Sequence, residues 1–192
     1  ISAHYDLSND FFKLFLDETM MYSSAIFENK SQSLHHASLN KLDIICKKLQ
    51  LKKTDHIIEI GTGWGGFATY TAEKYGCKVT TTTISRQQYN FAKELIKKKG
   101  LTKQINLLFK DYRHLSGQFD KLVSIEMIEA VGHHYYPDYF KQVSSLLKPT
   151  GMGLIQAITI RDQRYKQAIK TVDFIQKYIF PGSCIPSIDI IQ

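Results

Sequence analysis

The run Asp55-His56-Ile57-Ile58-Glu59-Ile60-Gly61-Thr62-Gly63-Trp64-Gly65-Gly66 constrains this chain more than any other stretch, because it joins a short apolar strand to a glycine-rich turn and the start of a helix. Glycine accepts positive φ and lets a ligand meet the main chain with no Cβ in the way, while the first turn of the helix offers unpaired N–H groups. The segment reads as a nucleotide cradle. Two templates fit it: Gly61, Gly63 and Gly66 satisfy G-x-G-x-x-G, and Glu59, Gly61, Gly63 and Gly65 satisfy Glu-x-Gly-x-Gly-x-Gly. The first is a dinucleotide fingerprint and wants an acid about 20 residues on to hold the ribose. The second strand ends instead in Thr80-Thr81-Thr82-Thr83-Ile84-Ser85, which has no carboxylate.

The second template is the form seen in S-adenosylmethionine (SAM) methyltransferases. Glu59, just before the first glycine, suits a ligand with an amino-acid ammonium better than one with a pyrophosphate. SAM is therefore favoured over NAD, and a strand-to-helix turn with no ligand is the remaining alternative.

From residue 55 onward, strand and helix patterns alternate, as in a doubly wound, mostly parallel α/β sheet. Strands are expected at 55–60, 77–84, 104–109, 119–125 and 151–159, and helices at 64–75, 85–99, 137–148 and 162–178. Ser85 with Gln88 forms a capping-box pattern. Leu39, Leu42, Ile45, Cys46 and Leu49 recur at helical spacing, so 32–50 should be an amphipathic helix on the sheet. Residues 1–30 crowd Tyr5, Phe11, Phe12, Phe15, Met20, Met21, Tyr22 and Phe27 together, either as a lid over the cofactor or as ordinary packing. The expected organisation is a lid segment at 1–50, a cofactor-binding core at 51–160 and a further region at 161–192.

A chain of 192 residues that is 43% hydrophobic can bury a sizeable core. No run approaches the ~18 apolar residues of a membrane span, and the start Ile1-Ser2-Ala3 suggests an excised piece rather than a natural beginning. Cys46, Cys77 and Cys184 are too scattered for a disulfide framework or a zinc site, so no metal is expected and a reducing compartment is. The net charge of +7, with clusters at Lys47-Lys48, Lys52-Lys53 and Lys97-Lys98-Lys99, favours an anionic surface. Several of these lysines also suit helix ends, where cations complement the dipole.

Six blocks carry a closer likeness: His4-Tyr5-Asp6-Leu7-Ser8-Asn9-Asp10-Phe11-Phe12, Met21-Tyr22-Ser23, Trp64-Gly65-Gly66, Asp111-Tyr112-Arg113, the run Ser124 to His133, and Tyr178-Ile179-Phe180-Pro181-Gly182. In this order they resemble the cyclopropane-fatty-acyl-phospholipid synthases and the related mycolic acid cyclopropane synthases, over essentially the whole chain. The resemblance implies a Rossmann-like class I SAM-dependent methyltransferase with an N-terminal helical lid. Its expected activity adds a methylene across a cis double bond of a phospholipid acyl chain. It further implies a cytoplasmic enzyme, peripheral at the inner, anionic membrane surface, and is compatible with a homodimer. Family enzymes continue past the proline-glycine block with an acyl-site tyrosine, so this chain is expected to be the catalytic core of a longer protein.

By that resemblance, Tyr22 and Ser23 bind the SAM carboxylate, Glu59 faces its ammonium, and Gly61, Thr62, Gly63 and Gly65 pass beneath the methionine and ribose. Thr83 and Gln88 replace the usual ribose acid, with Ile84 beside them at the cofactor, while Asp111 and Tyr112 meet the adenine. In the family a bound bicarbonate is the base that removes a proton after methyl transfer. Glu129 matches the glutamate of its cage, and the remaining cage positions read Ser24, Gln156 and Ile158. Ser24 stands where the family has cysteine, and Gln156-Ala157-Ile158 where it has His-Thr-Ile. Neither replacement can carry a positive charge as histidine can, so methyl branching of the acyl chain and a SAM-binding paralogue without turnover stay open, as does a small-molecule N-methyltransferase of a neighbouring family with the same glycine turn. Nucleic acid is not expected as a partner, because no base-flipping motif accompanies the basic clusters.

Overall fold

The computed structural model describes residues 9–192; His4 to Ser8 of the first block of the resemblance, with Tyr5 of the aromatic segment, lie outside them. Five strands form one all-parallel sheet in the order β3-β2-β1-β4-β5. They are β1 (His56–Ile60), β2 (Lys78–Thr83), β3 (Ile105–Phe109), β4 (Phe119–Ile125) and β5 (Leu147–Gln156). Around them lie helices α1 (Asn9–Lys13), α2 (Leu34–Lys48), α3 (Gly66–Tyr75), α4 (Arg86–Lys98), α5 (Tyr136–Leu146), α6 (Asp162–Ala168) and α7 (Ile188–Ile191). The "mostly parallel" sheet read from the sequence is fully parallel, and β1 is its centre. That is why Ile57, Ile58 and Ile60 are buried on both faces.

One core layer sets Leu42, Ile45, Cys46 and Leu49 of α2 against Ile57, Phe67, Ala68 and Val79, which places the helical stripe read from the sequence inside. The other packs Ile58, Ile60 and Leu122 against Tyr136, Tyr139 and Val143 of α5. Phe12, Met20 and Trp64 make a third, smaller cluster. The aromatic N-terminal segment is thus anchored by packing.

Element ends shift for identifiable reasons. Residues 64 and 65 belong to the turn before α3, since Gly65 takes φ of 91°. Ser33 and Ser85 are N-caps outside α2 and α4, accepting from the N–H of His36 and Gln88. Strand β5 begins at Leu147, where α5 ends, and stops at Gln156 rather than 159, because the next residues turn toward β4 and its following loop. The helix expected over 162–178 breaks after Ala168. Asp173 and Gln176 then form a reciprocal capping box (Gln176 N to Asp173 Oδ1 2.8 Å, Asp173 N to Gln176 Oε1 3.1 Å) that starts a separate π-helical turn, Ile175–Ile179.

Candidate functional site

In an open parallel sheet, ligands bind outside the carboxyl ends of the strands where the strand order reverses. Here β1 lies between β2 and β4, and at that edge a cavity of about 380 Å³ opens. Gly61 and Gly63 turn the chain beside it at φ of +99° and +53°, and a Cβ on Gly63 would meet nothing within 4 Å. That side of the turn is an open cradle of the kind a bulky nucleoside needs. The later glycines have packing roles. A Cβ on Gly65 would lie 3.3 Å from Cβ of Ala92 on α4, and one on Gly66 2.8 Å from Sδ of Met21. Gly65, expected to touch the cofactor, lets the turn approach α4, while Gly66 lets the N-terminal segment settle over the turn.

The other expected cofactor residues, Tyr22, Ser23, Glu59, Thr62, Thr83, Ile84, Gln88, Asp111 and Tyr112, all line the cavity. Glu59 is buried, and its carboxylate accepts from Thr81 Oγ1 at 2.5 Å. Burial pushes its pKa up to about 8, with the Thr81 bond opposing. Thr81 Oγ1 and Thr62 Oγ1 are 2.7 Å apart, so a hydroxyl relay ties the acid to the glycine turn. Thr83 Oγ1 donates to Gln88 Oε1 at 2.9 Å and accepts from Ser85 N at 3.1 Å. Thr83 therefore supplies the acceptor that a capping box would have drawn from Gln88, which lines the cavity. Asp111 receives Arg113 bidentately, at 3.0 Å from Nε and 2.7 Å from Nη2. That pair holds its carboxyl below the usual range and draws Arg113, which spacing alone did not single out, to the rim.

The expected catalytic residues fall into two adjacent groups. Ser24 N (2.9 Å), Ser24 Oγ (3.1 Å) and Gln156 Nε2 (2.7 Å) all donate to one atom, Oε1 of Glu126. Glu126 lines the cavity and has φ of 47°. A left-handed backbone costs a residue with a Cβ on the order of 1–2 kcal/mol. Behind the group, fully buried Lys41 donates to Ser23 Oγ. Burial pulls the lysine pKa down to about 8, against the charges of Glu126 and Asp17. In the second group, Glu129 Oε1 accepts from Ile158 N at 2.5 Å, while buried Oε2 has no partner among the described residues. Burial raises the Glu129 pKa, and the charge of Glu126 adds to the rise. Sequence reasoning missed Glu126 and Lys41. The pattern Glu126-Met127-Ile128-Glu129 offers two acids, and only the fold reveals which one meets Ser24 and Gln156.

This arrangement does not suit bicarbonate. The donors that would hold the anion, Ser24 and Gln156, already serve a carboxylate. A second anion about 4 Å from Glu126 would face repulsion of about 4 kcal/mol at an effective dielectric of 20. Among the described residues no cluster suited to a metal ion occurs.

The sequence model of the mycolic acid cyclopropane synthetase family matches residues 1–192. The chain belongs to that family. It is 39% identical over 97% of its length to the tuberculostearic acid methyltransferase UfaA1 of Mycobacterium tuberculosis, spanning 45% of that protein. With the cyclopropane-fatty-acyl-phospholipid synthase of Escherichia coli K12 it shares 42% identity over 96% of its length and 46% of the relative's. The chain spans about half the length of the curated relatives it matches. The solved structure of mycolic acid cyclopropane synthase CmaA1, complexed with SAH and CTAB, superposes with a TM-score of 0.92 at 32% identity, covering all of this chain and 70% of that one. The architecture is that of the class I SAM-dependent methyltransferases. Coclaurine N-methyltransferase shares the fold alone, at a TM-score of 0.81 and 22% identity.

Proposed function

We propose that this chain binds SAM at the carboxyl edge of its sheet and directs the methyl carbon onto the cis double bond of an unsaturated phospholipid acyl chain. The observation that carries the reading is the cavity that the open Gly63 cradle, Glu59, Tyr22, Ser23 and Glu126 line together. A bound SAM supplies an electrophilic methyl whose bond pair leaves with sulfur, so that an alkene's π pair can form the new C–C bond. Tyr22 and Ser23 close over the cofactor's carboxylate, and Lys41 behind Ser23 reinforces that pole with positive charge. Glu59 meets the ammonium, Thr83 and Gln88 the ribose, and Tyr112 the base. The apolar lining from Met20, Met21, Met127 and Val131 keeps water from the reacting carbons. In this reading residues 1–50 act as the lid, 51–160 as the cofactor core and 161–192 as part of the acyl side.

Methyl branching is the second reading, favoured by Ser24 and Gln156 at the two altered positions and by the similarity to UfaA1. Mass spectrometry of lipids from cells expressing the full-length protein tests both. Monounsaturated phospholipid chains should gain one methylene unit, as a ring in the first case and a branch in the second. Unchanged lipids together with methylation of a polar amine would overturn both in favour of an N-methyltransferase.

A further inference from the structure

The two residues that replace the family's cysteine and histidine have not lost their anion. Ser24 and Gln156, distant in sequence from each other, converge with one backbone N–H on Oε1 of Glu126. Charge-assisted bonds of 2.7–3.1 Å from three donors hold that carboxylate in place. Among the described residues no donor meets its second oxygen, Oε2. The left-handed backbone at Glu126 is a conformation that glycine takes without cost, so a side chain here is accepted against local preference. It follows directly after β4, with Glu126 N donating to Gln156 O at 2.8 Å, and it lines the cavity that holds the Gly61 to Gly63 turn.

We infer that Glu126 is the catalytic base of this enzyme, a carboxylate built into the chain where relatives with different flanking residues would need a free anion. The inference rests on the proposed alkene methylation. After C–C bond formation a cation is left on the neighbouring carbon. Glu126 Oε2 takes a proton from the transferred carbon, and the released C–H pair closes the three-membered ring. If the proton comes instead from a chain carbon beside the cation, the pair forms a double bond, the entry to a branched product. In either case Glu126 ends neutral, and its proton passes to water when product leaves. Lys41 balances the charge of the resting carboxylate, and Ser24 and Gln156 are positioning residues.

The test uses full-length protein in carbon-dioxide-free buffer. Wild-type turnover of unsaturated phospholipid should not change when bicarbonate is added. Glu126→Gln should lose on the order of 10²-fold in turnover, with affinity for S-adenosylhomocysteine (SAH) within about twofold of wild type by calorimetry. Glu126→Gly suits the backbone and frees the donors, so added bicarbonate should raise its turnover, which a merely structural glutamate would not allow. A second measurement needs no turnover: carbon-13 NMR of labelled bicarbonate with SAH-saturated protein should show binding to Glu126→Gly and none to wild type. Wild-type stimulation by bicarbonate, wild-type binding of bicarbonate, or full activity of Glu126→Gln would each overturn the inference. If wild type binds SAM but alkylates no lipid, the proposed function fails, and the NMR result still decides whether Glu126 fills the anion site.

Discussion

Two residues report on cofactor binding in different ways. Gly63 has space where a Cβ would point, so Gly63→Val should leave the core intact while filling the cradle and straining a φ of +53°. SAH affinity should fall at least about 10²-fold by calorimetry, equivalent to about 2.7 kcal/mol, with the circular dichroism spectrum unchanged; unchanged affinity would remove the turn from the site. Glu59 reports through a proton. Burial holds its carboxyl at about 8 in the folded chain, against the ordinary 4.5 of an unfolded one. The folded state therefore holds an extra proton between those values, and this contribution to stability, full below 4.5, is lost as pH rises to about 8. An ammonium beside Glu59 favours the ionised form. SAH binding near pH 6.5 should thus release about one proton, read as a dependence of calorimetric enthalpy on buffer ionisation, and affinity should rise with pH. Glu59→Gln should abolish the release. The glycine turn and Glu59 were legible because their chemistry is local in sequence. Glu126 was not, because its side-chain partners lie 102 and 30 residues away and its spacing to Glu129 says nothing about which acid faces them.

Helix α2 was legible as an amphipathic element through its stripe, yet two of its polar residues matter as much as its apolar ones. Lys41 is not among the apolar residues of the stripe and would read as solvated, but it is fully buried, bonded to Ser23 and within reach of the charges of Glu126 and Asp17. Only the tertiary position of the N-terminal segment could reveal that. Asp43 joins α2 to α3, pairing with Lys47 at 2.7 Å and Lys74 at 2.5 Å and accepting from Tyr70 and Tyr75 at 3.2 Å each. Bonds from Lys47 and Lys74 hold its carboxyl far below the usual range. A depressed carboxylate contributes fully above its unfolded pKa and is lost progressively from there down to the folded value, so this tie is full at neutral pH, already weaker at pH 3 and gone only in strong acid. Asp43→Ala should lower Tm at pH 7 by roughly 2–6 °C, since solvent screening limits such a hub to about 1–2 kcal/mol. Calorimetric scans at pH 7 and pH 3 should show the deficit shrinking at the lower pH. An equal deficit at both would mean Asp43 acts through packing. The break in the helix expected at 162–178 is a similar lesson: Asp173 and Gln176 carry a capping signal, which a continuous polar-apolar pattern conceals.

On the scale of the whole molecule, the proposed function would have the cavity admit an acyl chain from a bilayer, and the surface around the lid would then bear on how it arrives. Leu14 is 82% exposed, and Phe11 and Phe15 are about half exposed, although Phe12 between them is fully buried against Trp64. The small α1 turn thus seats one aromatic ring in the core and presents its neighbours outward, next to the Met20 to Ser23 stretch that lines the cavity. Among the described residues no helix is long and apolar enough to cross a membrane. The exposed Phe11, Leu14 and Phe15 are the apolar groups that docking on a lipid surface would use. The net charge of +7 would supply the long-range attraction to anionic lipid. These two contributions separate experimentally, because charge attraction is screened by salt and apolar insertion is not. Full-length protein should co-sediment with vesicles rich in phosphatidylglycerol, and binding should weaken as ionic strength rises from low to molar salt. Leu14→Glu removes an insertion of the size of one leucine, about 1.5–3 kcal/mol, and should cost at least about tenfold in vesicle affinity at every salt concentration. SAH binding in solution should be unaffected, since Leu14 lies outside the cavity wall. Equal vesicle binding by the variant would separate this patch from the membrane and leave the acyl chain to reach the cavity by another route.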